Sequence, residues 1–435
     1  MAGDHEGRPY IFTFYFLVFS LIITFAFIIE TMMGERQFKI YWALYPLAII
    51  YRIVTGVRNK LFDWGVLKSR RFGMPVICVG NISVGGTGKT PHTEYLVRLL
   101  LPLFRVATLS RGYMRKSRGF VMVDGRRATT RVAPTGECDW GDASGDEERA
   151  GTRPAPTGGV LTMSELIGDE PYQLLKKFPG LTVAVDVDRC RGISRIMDGV
   201  DVILLDDAYQ HRYVRAGLTI LLIDYNRPIW DDVMLPAGRL RESASGKRRA
   251  EIVIVSKCPK DMGEEEMLGL KKKVAPCPGQ RVFFSTLLYN NMYRLSDKSP
   301  RSLDSITSDD EILLVTGIAS PASIMQELEK RTSNIRSISF PDHHAFSQSD
   351  TERIKKVFSE MNQDRGLIVT TEKDAARFEG RDVSKESIYL YIYILPIEVV
   401  FLNDEGKMFN QKIIEYVREN TRDSGVYPSA DAHTS

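Results

Sequence analysis

Cysteine is scarce in this chain. Five thiols, Cys78, Cys138, Cys190, Cys258 and Cys277, are scattered over 435 residues with no C-x-x-C pair. That spacing excludes a zinc cluster or a disulfide frame and points to reduced thiols in the cytoplasm. An excess of one charge is lacking too: 58 Lys+Arg against 55 Asp+Glu leave a net charge of +3. The basic runs Lys247-Arg248-Arg249 and Lys271-Lys272-Lys273 are short and read as solvated surface, so no nucleic-acid partner is expected. What is lacking between Tyr10 and Ile29 is charge of any kind. This stretch is dense in Phe, Ile and Leu and has about the length, roughly 20 residues, that one membrane-spanning helix needs.

No small-residue cleavage signal follows that stretch, and acids accompany Arg8 before it, which disfavours a cleaved leader. Basic residues gather on its far side at Arg36, Lys39, Arg52, Arg58, Lys60, Lys68, Arg70 and Arg71, which puts everything after residue 30 in the cytoplasm. A buried core helix, or residues upstream of the true start, are the alternatives. From Tyr41 to Trp64, apolar residues recur at Ile49, Ile53, Val57, Leu61 and Trp64, a helical stripe interrupted by Arg52, Arg58 and Lys60. Beside the apolar segment it reads as an interfacial helix, although a surface helix packed on its own domain has the same stripe.

The most specific signal is Ser83-Val84-Gly85-Gly86-Thr87-Gly88-Lys89-Thr90, after the strand-like run Pro75–Val79 and before a helical pattern starting near Pro91. Strand, Gly-rich turn and helix in that order form a phosphate-binding loop. Backbone N–H groups converge on phosphate oxygens there, and the helix N-terminus adds partial positive charge. Lys89 would reach the β/γ-phosphates of ATP and the Thr90 hydroxyl would ligate Mg²⁺. Ser83 stands where the general pattern has glycine. Further on, Val202–Leu205 runs into Asp206-Asp207, the arrangement in which a buried strand delivers a carboxylate to the metal side of the phosphates. An acid after a strand is also a common helix N-cap, which is the alternative for Asp207.

Strand-like runs at 106–109, 181–185, 202–205, 219–223 and 251–255 alternate with helical stripes, so a largely parallel α/β sheet is expected, with ligands at the strand C-termini. Residues 124–160 are rich in Thr, Gly, Pro and charge and read as a mobile insertion.

Several motifs make the chain similar to a known family, the tetraacyldisaccharide 4′-kinases of lipid A biosynthesis. They are Val79-Gly80-Asn81-Ile82 through Pro91, Ser110-Arg111-Gly112-Tyr113, Gly168-Asp169-Glu170-Pro171, Asp206-Asp207-Ala208-Tyr209-Gln210-His211 and Leu235-Pro236-Ala237-Gly238-Arg239-Leu240-Arg241-Glu242. Phe340-Pro341-Asp342-His343-His344 and Thr371-Glu372-Lys373-Asp374-Ala375 complete the set, which runs in family order over roughly residues 40 to 415. Ser83 falls within that family's pattern; the apolar N-terminus and the 124–160 insertion lie outside it.

The resemblance implies a P-loop NTPase-like parallel-sheet lobe (71–290), a second, smaller α/β lobe (291–420), a membrane-associated helical segment before them (1–70) and a frayed tail (421–435). It implies ATP- and Mg²⁺-dependent phosphorylation of the 4′-hydroxyl of an acylated glucosamine disaccharide 1-phosphate, by a monomer at the cytoplasmic face of the inner membrane. Asp169 would be the base, with His343, or its neighbour His344, orienting or relaying from it. Glu170, Asp206 and Thr90 would hold Mg²⁺, with Asp207 as a further ligand or acting through a water. Lys89, Arg239 and, less centrally, Arg189 would stabilise the transferring phosphoryl group. A regulatory P-loop NTPase at the membrane is the alternative. Val84 replaces the lysine that a partitioning ATPase needs, and Ser256-Lys257-Cys258-Pro259 lacks the aspartate of a GTPase.

Overall fold

The computed structural model describes residues 42–125, 129–132, 161–318, 321–342, 344, 346–362, 364–378 and 387–421. The apolar segment 10–29, His343, residues 133–160 and the tail beyond Thr421 lie outside the described residues. In chain order the first elements are α1 (Tyr45–Asp63), β1 (Val76–Gly80), α2 (Lys89–Leu100), β2 (Val106–Ser110), β3 (Val121–Asp124) and β4 (Thr129–Val132). After them come α3 (Met163–Ile167), α4 (Asp169–Lys177), β5 (Thr182–Val185), α5 (Arg189–Ile196), β6 (Val202–Asp206), β7 (Leu218–Asp224), β8 (Ile252–Ser256), α6 (Glu264–Val274) and β9 (Arg281–Tyr289). Then follow β10 (Met292–Arg294), β11 (Pro300–Arg301), β12 (Glu311–Thr316), α7 (Ala322–Glu329), β13 (Ile335–Ser339), α8 (Gln348–Ser359) and β14 (Gly366–Thr371). The last are α9 (Glu372–Phe378), β15 (Ile392–Leu395), β16 (Ile397–Phe401) and α10 (Glu405–Asn420).

The strands form a ten-stranded sheet, ordered β16-β9-β8-β7-β1-β6-β2-β5-β3-β4, and a six-stranded sheet, ordered β11-β10-β15-β14-β12-β13. From β9 to β5 every pairing in the large sheet is parallel. A parallel sheet is covered on both faces, which is why its strands read as continuous apolar runs; every residue of β1, β5, β6 and β8 is buried. Ile77 and Val79 of β1 pack with Leu96, Val97 and Leu100 of α2 on one face, while Cys78 packs with Ile193 and Ile196 of α5 on the other. In β12 of the small sheet, Leu313 and Val315 face a core with Ile354 and Phe358, and Ile312 and Leu314 face one with Ile324 and Leu328.

Two expectations about extent are corrected. The second lobe does not run on to residue 420: β16 pairs antiparallel with β9, and Phe401, Phe409, Ile413 and Val417 join the core around Ile77. The reason is local. The stripe Phe409/Ile413/Val417 finds its apolar partners on the large sheet, and β16 covers an edge that β9 would otherwise leave open. Nor does the 124–160 stretch begin without structure, since β4 pairs with β3 as an antiparallel hairpin on the far edge.

Candidate nucleotide and phosphoryl-transfer site

The phosphate-binding loop joins β1, at the middle of the large sheet, to α2. Its entry is held by the 235–242 motif: Val84 N donates to Arg239 O at 2.8 Å, and Ser83 bridges Leu240. Gly88, the N-cap of α2, has φ of +85°, which favours glycine, and no side chain caps the helix. The first-turn N–H groups therefore have no side-chain acceptor and are directed at an incoming anion. His92, one turn into α2, braces the loop from below, with Nδ1 2.7 Å from Gly88 O and Nε2 3.0 Å from Ser285 Oγ. Burial pushes its pKa down to about 4. The imidazole is thus neutral at physiological pH, with Nδ1–H donating to the carbonyl and Nε2 accepting from the serine. On the other flank Ser256 Oγ donates to Thr87 O at 2.8 Å, and Lys257 Nζ contacts Gly86 O while pairing with Asp224 at 2.8 Å. His92, Ser256 and Lys257 were not among the sequence-derived site residues, because single side chains bonded to loop carbonyls leave no spacing pattern.

β6 lies directly beside β1, with Val79 opposite Asp206, so both strands end at the loop. Asp206 is buried and accepts from Thr93 Oγ1 at 3.2 Å. Burial, with the charges of Glu170 and Asp207 adding to it, pushes its carboxyl up to about 7. Burial acts in the same direction on Asp207, but Lys89 at 3.7 Å and Arg241 at 3.4 Å outweigh it and hold that carboxyl well below the usual range. No helix follows Asp207, which sits in a turn at φ +49°, so the N-cap alternative does not apply. Arg189 is buried, with its pKa lowered to about 10 by burial and by Arg111, and its Nε has no hydrogen-bond partner. Arg239 lines the small cavity next to Ser83–Thr87, together with Asp224, Arg227 and Asp232. His211 is partly buried and neutral, with its pKa pushed down to about 4 by burial and by Arg189.

Asp169 and Glu170 open α4, so their charges favour the helix dipole. The residue before them, Gly168, has φ of +96° and ψ of 159°, and a Cβ there would lie 3.0 Å from Tyr113 O. The Gly112-Tyr113 and Gly168-Asp169 motifs are thus two loops pressed together. Across from them stands α9 of the second lobe. Arg377 Nε donates to Asp169 Oδ2 at 2.8 Å, and Lys373 lies 3.5 Å from Glu170 and 3.2 Å from Asp342. Lys177 links Glu94 at 2.6 Å and Glu372 at 2.8 Å. The Asp342 motif and Asp169 are therefore brought to one place by residues from both lobes. His344 is committed elsewhere: its Nε2 is 2.9 Å from Asp350, at the N-terminus of α8, and its ring stacks on Phe340 at 4.7 Å. Sequence reading overlooked Arg377 and left Lys373 out of the site. Lys373 belongs to the last motif and Arg377 stands two residues beyond it on the same helix, whose place opposite α4 only the tertiary fold reveals.

α1 carries the site from behind. Tyr51 Oη donates to Arg241 O at 2.9 Å, Arg58 to Gln210 O at 2.9 Å, and Asn59 to Glu242 at 3.2 Å. Its opposite face shows Ile49, Ile53, Val57 and then Trp64 to solvent, with Ile53 59% and Trp64 72% exposed. Ile49, Ile53, Val57 and Trp64 of the apolar stripe thus face outward, while Leu61 is half-buried. No helix among the described residues is long and apolar enough to cross a membrane.

A Gly-rich loop ending in an uncapped helix, its lysine beside the carboxylates of the neighbouring strand, defines a P-loop nucleotide-binding protein of mixed α/β fold. A family model described as tetraacyldisaccharide-1-P 4′-kinase matches residues 40–137 and 154–418. The chain belongs to that family. It is 46% identical over 415 residues to the tetraacyldisaccharide 4′-kinase of Bacteroides thetaiotaomicron, covering 93% of this chain and 100% of that one. With the enzyme of the same name from Phocaeicola vulgatus it shares 47% over 398 residues, covering 90% and 99%. Among solved structures it is similar to LpxK from Aquifex aeolicus in complex with ATP, with TM-score 0.61, 26% identity, and coverage of 86% of this chain and 98% of that one.

Proposed function

We propose that this protein transfers the γ-phosphoryl group of ATP to the 4′-hydroxyl of a tetraacylated glucosamine disaccharide 1-phosphate, giving the bis-phosphorylated lipid A precursor of lipopolysaccharide biosynthesis. The observation that carries this reading is the bare N-terminus of α2 with Lys89 beside Asp207, and Asp206 within the field of Glu170, the residue next to Asp169, in a chain of the 4′-kinase family. Backbone N–H groups of 83–90 cradle the phosphates. Lys89 and Arg239 meet the charge that spreads over the γ-phosphoryl oxygens as it transfers, and Arg189 adds to that field. Asp169 accepts the proton of the attacking hydroxyl, with His343 orienting or relaying from it; the engagement of His344 with Asp350 and Phe340 favours His343 for that role.

Thr90, Glu170, Asp206 and Asp207 are hard oxygen donors, and the proton affinity of Asp206, raised by burial and then by its acidic neighbours, is what a bound cation would offset. This donor set fits Mg²⁺, which when bound neutralises the β- and γ-phosphate oxygens. Asp207, already paired with Lys89 and Arg241, fits an outer place in that set.

The outward face of α1, with Arg52 and Lys60 among its apolar residues, fits the headgroup boundary of the inner membrane on its cytoplasmic side, where a lipid acceptor is presented beside the site. The test is transfer of label from γ-labelled ATP to tetraacyldisaccharide 1-phosphate in detergent. Wild-type protein labels the lipid. Lys89→Ala and Asp169→Ala each lose on the order of 100-fold or more in kcat, while Asp169→Ala still binds ATP. Near-normal turnover in Asp169→Ala removes that residue from the base role.

A further inference from the structure

The carboxylate assigned as base is held by the second lobe. Arg377, on α9, is 4% exposed at its side chain, and its Nε donates to Asp169 Oδ2 at 2.8 Å. The same guanidinium donates to Gly317 O at 3.0 Å and to Asp374 Oδ1 at 2.9 Å. Asp374 is fully buried, and its Oδ2 accepts from Gly317 N at 3.0 Å and from Thr371 Oγ1 at 2.8 Å. The planar, five-donor fork of arginine is thereby fixed by its own lobe on one side and offers Nε to Asp169 on the other.

We propose that Arg377 is the positioning residue for Asp169, so that the base acquires its working orientation only through the second lobe. This rests on the reading of Asp169 as base. Binding Oδ2 restricts rotation of the carboxylate and so narrows the directions open to the other oxygen. Orientation matters because misplacing a reacting group by about 1 Å costs on the order of 100-fold in rate. Asp169 follows Gly168, whose ψ of 159° lies outside the helix, so it stands at the very start of α4, with helix on one side of it only. The competing reading of the pair is a plain clamp between lobes, like Lys177–Glu372.

The two readings separate in a double-mutant cycle on the full chain. It uses Arg377→Lys, Arg377→Met, Asp169→Asn and the Asp169→Asn/Arg377→Met double variant, assayed with ATP and tetraacyldisaccharide 1-phosphate. A lysine keeps the charge opposite Asp374, but a single ammonium does not reproduce the fork. The expected result is a kcat loss of roughly tenfold in Arg377→Lys and roughly 100-fold in Arg377→Met, with KM for ATP within about twofold of wild type. In the Asp169→Asn background the Arg377→Met loss disappears to within about threefold, because a residue acting through the base has nothing left to act on. Arg377→Met leaves Asp374 buried without its counter-charge; if that variant melts early, Arg377→Lys at unchanged Tm and its combination with Asp169→Asn carry the test. Losses that multiply in the double variant, or a kcat within about twofold of wild type in the folded Arg377 variants, overturn the proposal and leave Asp169 as base. A nearly unchanged kcat in Asp169→Asn itself overturns the base reading and the proposal together.

Discussion

Asp206 and Asp207 are chain neighbours with opposite proton affinities, and the difference comes from what each faces. Asp206 points into the buried end of β6 toward other carboxylates, whereas Asp207 turns out to Lys89 and Arg241. The consequence for pH dependence follows from linkage. The carboxyl of Asp206 titrates near pH 7 in the folded protein and near 3.8 in the unfolded chain. Between pH 4 and 7 the folded state therefore holds a proton that the unfolded state has lost, and this group's contribution to stability falls as pH rises through that window. In denaturant unfolding without nucleotide or Mg²⁺, Asp206→Asn should make the slope of stability against pH between pH 5 and 6 more positive by about 1 kcal/mol per pH unit than in wild type. Parallel curves would contradict the raised affinity. Asp207 acts in the opposite sense: its contribution is complete above the unfolded value and is lost only in stronger acid. At this scale the sequence was legible where a motif has fixed spacing, as in Gly88-Lys89-Thr90 or Asp206-Asp207. It was silent where a side chain reaches a partner far away in the chain, as His92 does with Ser285, Lys257 with Gly86 and Arg377 with Gly317, because such contacts are set by the tertiary fold.

Two elements make the site, one by a turn and one by a helix with two different faces. The turn at Gly168 sits in backbone space that glycine alone enters freely, and any Cβ there meets Tyr113 O at 3.0 Å. Gly168→Ala should cost about 1–3 kcal/mol of stability. It should also lower kcat more than KM for ATP, since Asp169 is the next residue while the phosphate-binding loop lies on a different element. Unchanged kcat and Tm together would show that the close approach is not maintained in solution. In α1, Tyr51, Arg58 and Asn59 bond to the loops that carry Gln210, Arg241 and Glu242, so the outward face is mechanically tied to the reaction centre. Periodicity alone placed the stripe Ile49/Ile53/Val57 on one side of a helix. It did not say which side, because an apolar stripe has the same period whether its partner is protein or lipid. The return of β16 and α10 to the large sheet was hidden for a similar reason: amphipathic patterns show that a face is buried, not against which lobe.

For the whole molecule, the large parallel sheet brings the P-loop and the strand-end carboxylates together, and the small sheet delivers Arg377 and Lys373 to Asp169 and Glu170. Parallel alternation with ligands at the strand ends was readable from the runs of Val, Ile and Leu, whereas the pairing of lobes across α4 and α9 arises from ionic contacts far apart in sequence. If the outward face of α1 rests on lipid, full-length protein should float with anionic phospholipid vesicles, and Ile53→Glu/Val57→Glu should reduce the bound fraction severalfold without changing KM for ATP. Flotation equal to wild type in that variant would assign attachment to another part of the chain. The proposed reaction is regiospecific: one phosphoryl group moves from ATP to the 4′-oxygen of the distal glucosamine. Its most direct test is ³¹P–¹H correlation NMR on the purified lipid product. The wild-type product should carry a second phosphomonoester coupled to the proton at carbon 4′, and Lys89→Ala should not form it. Release of inorganic phosphate with the lipid unmodified, or phosphate on any other hydroxyl, would contradict it.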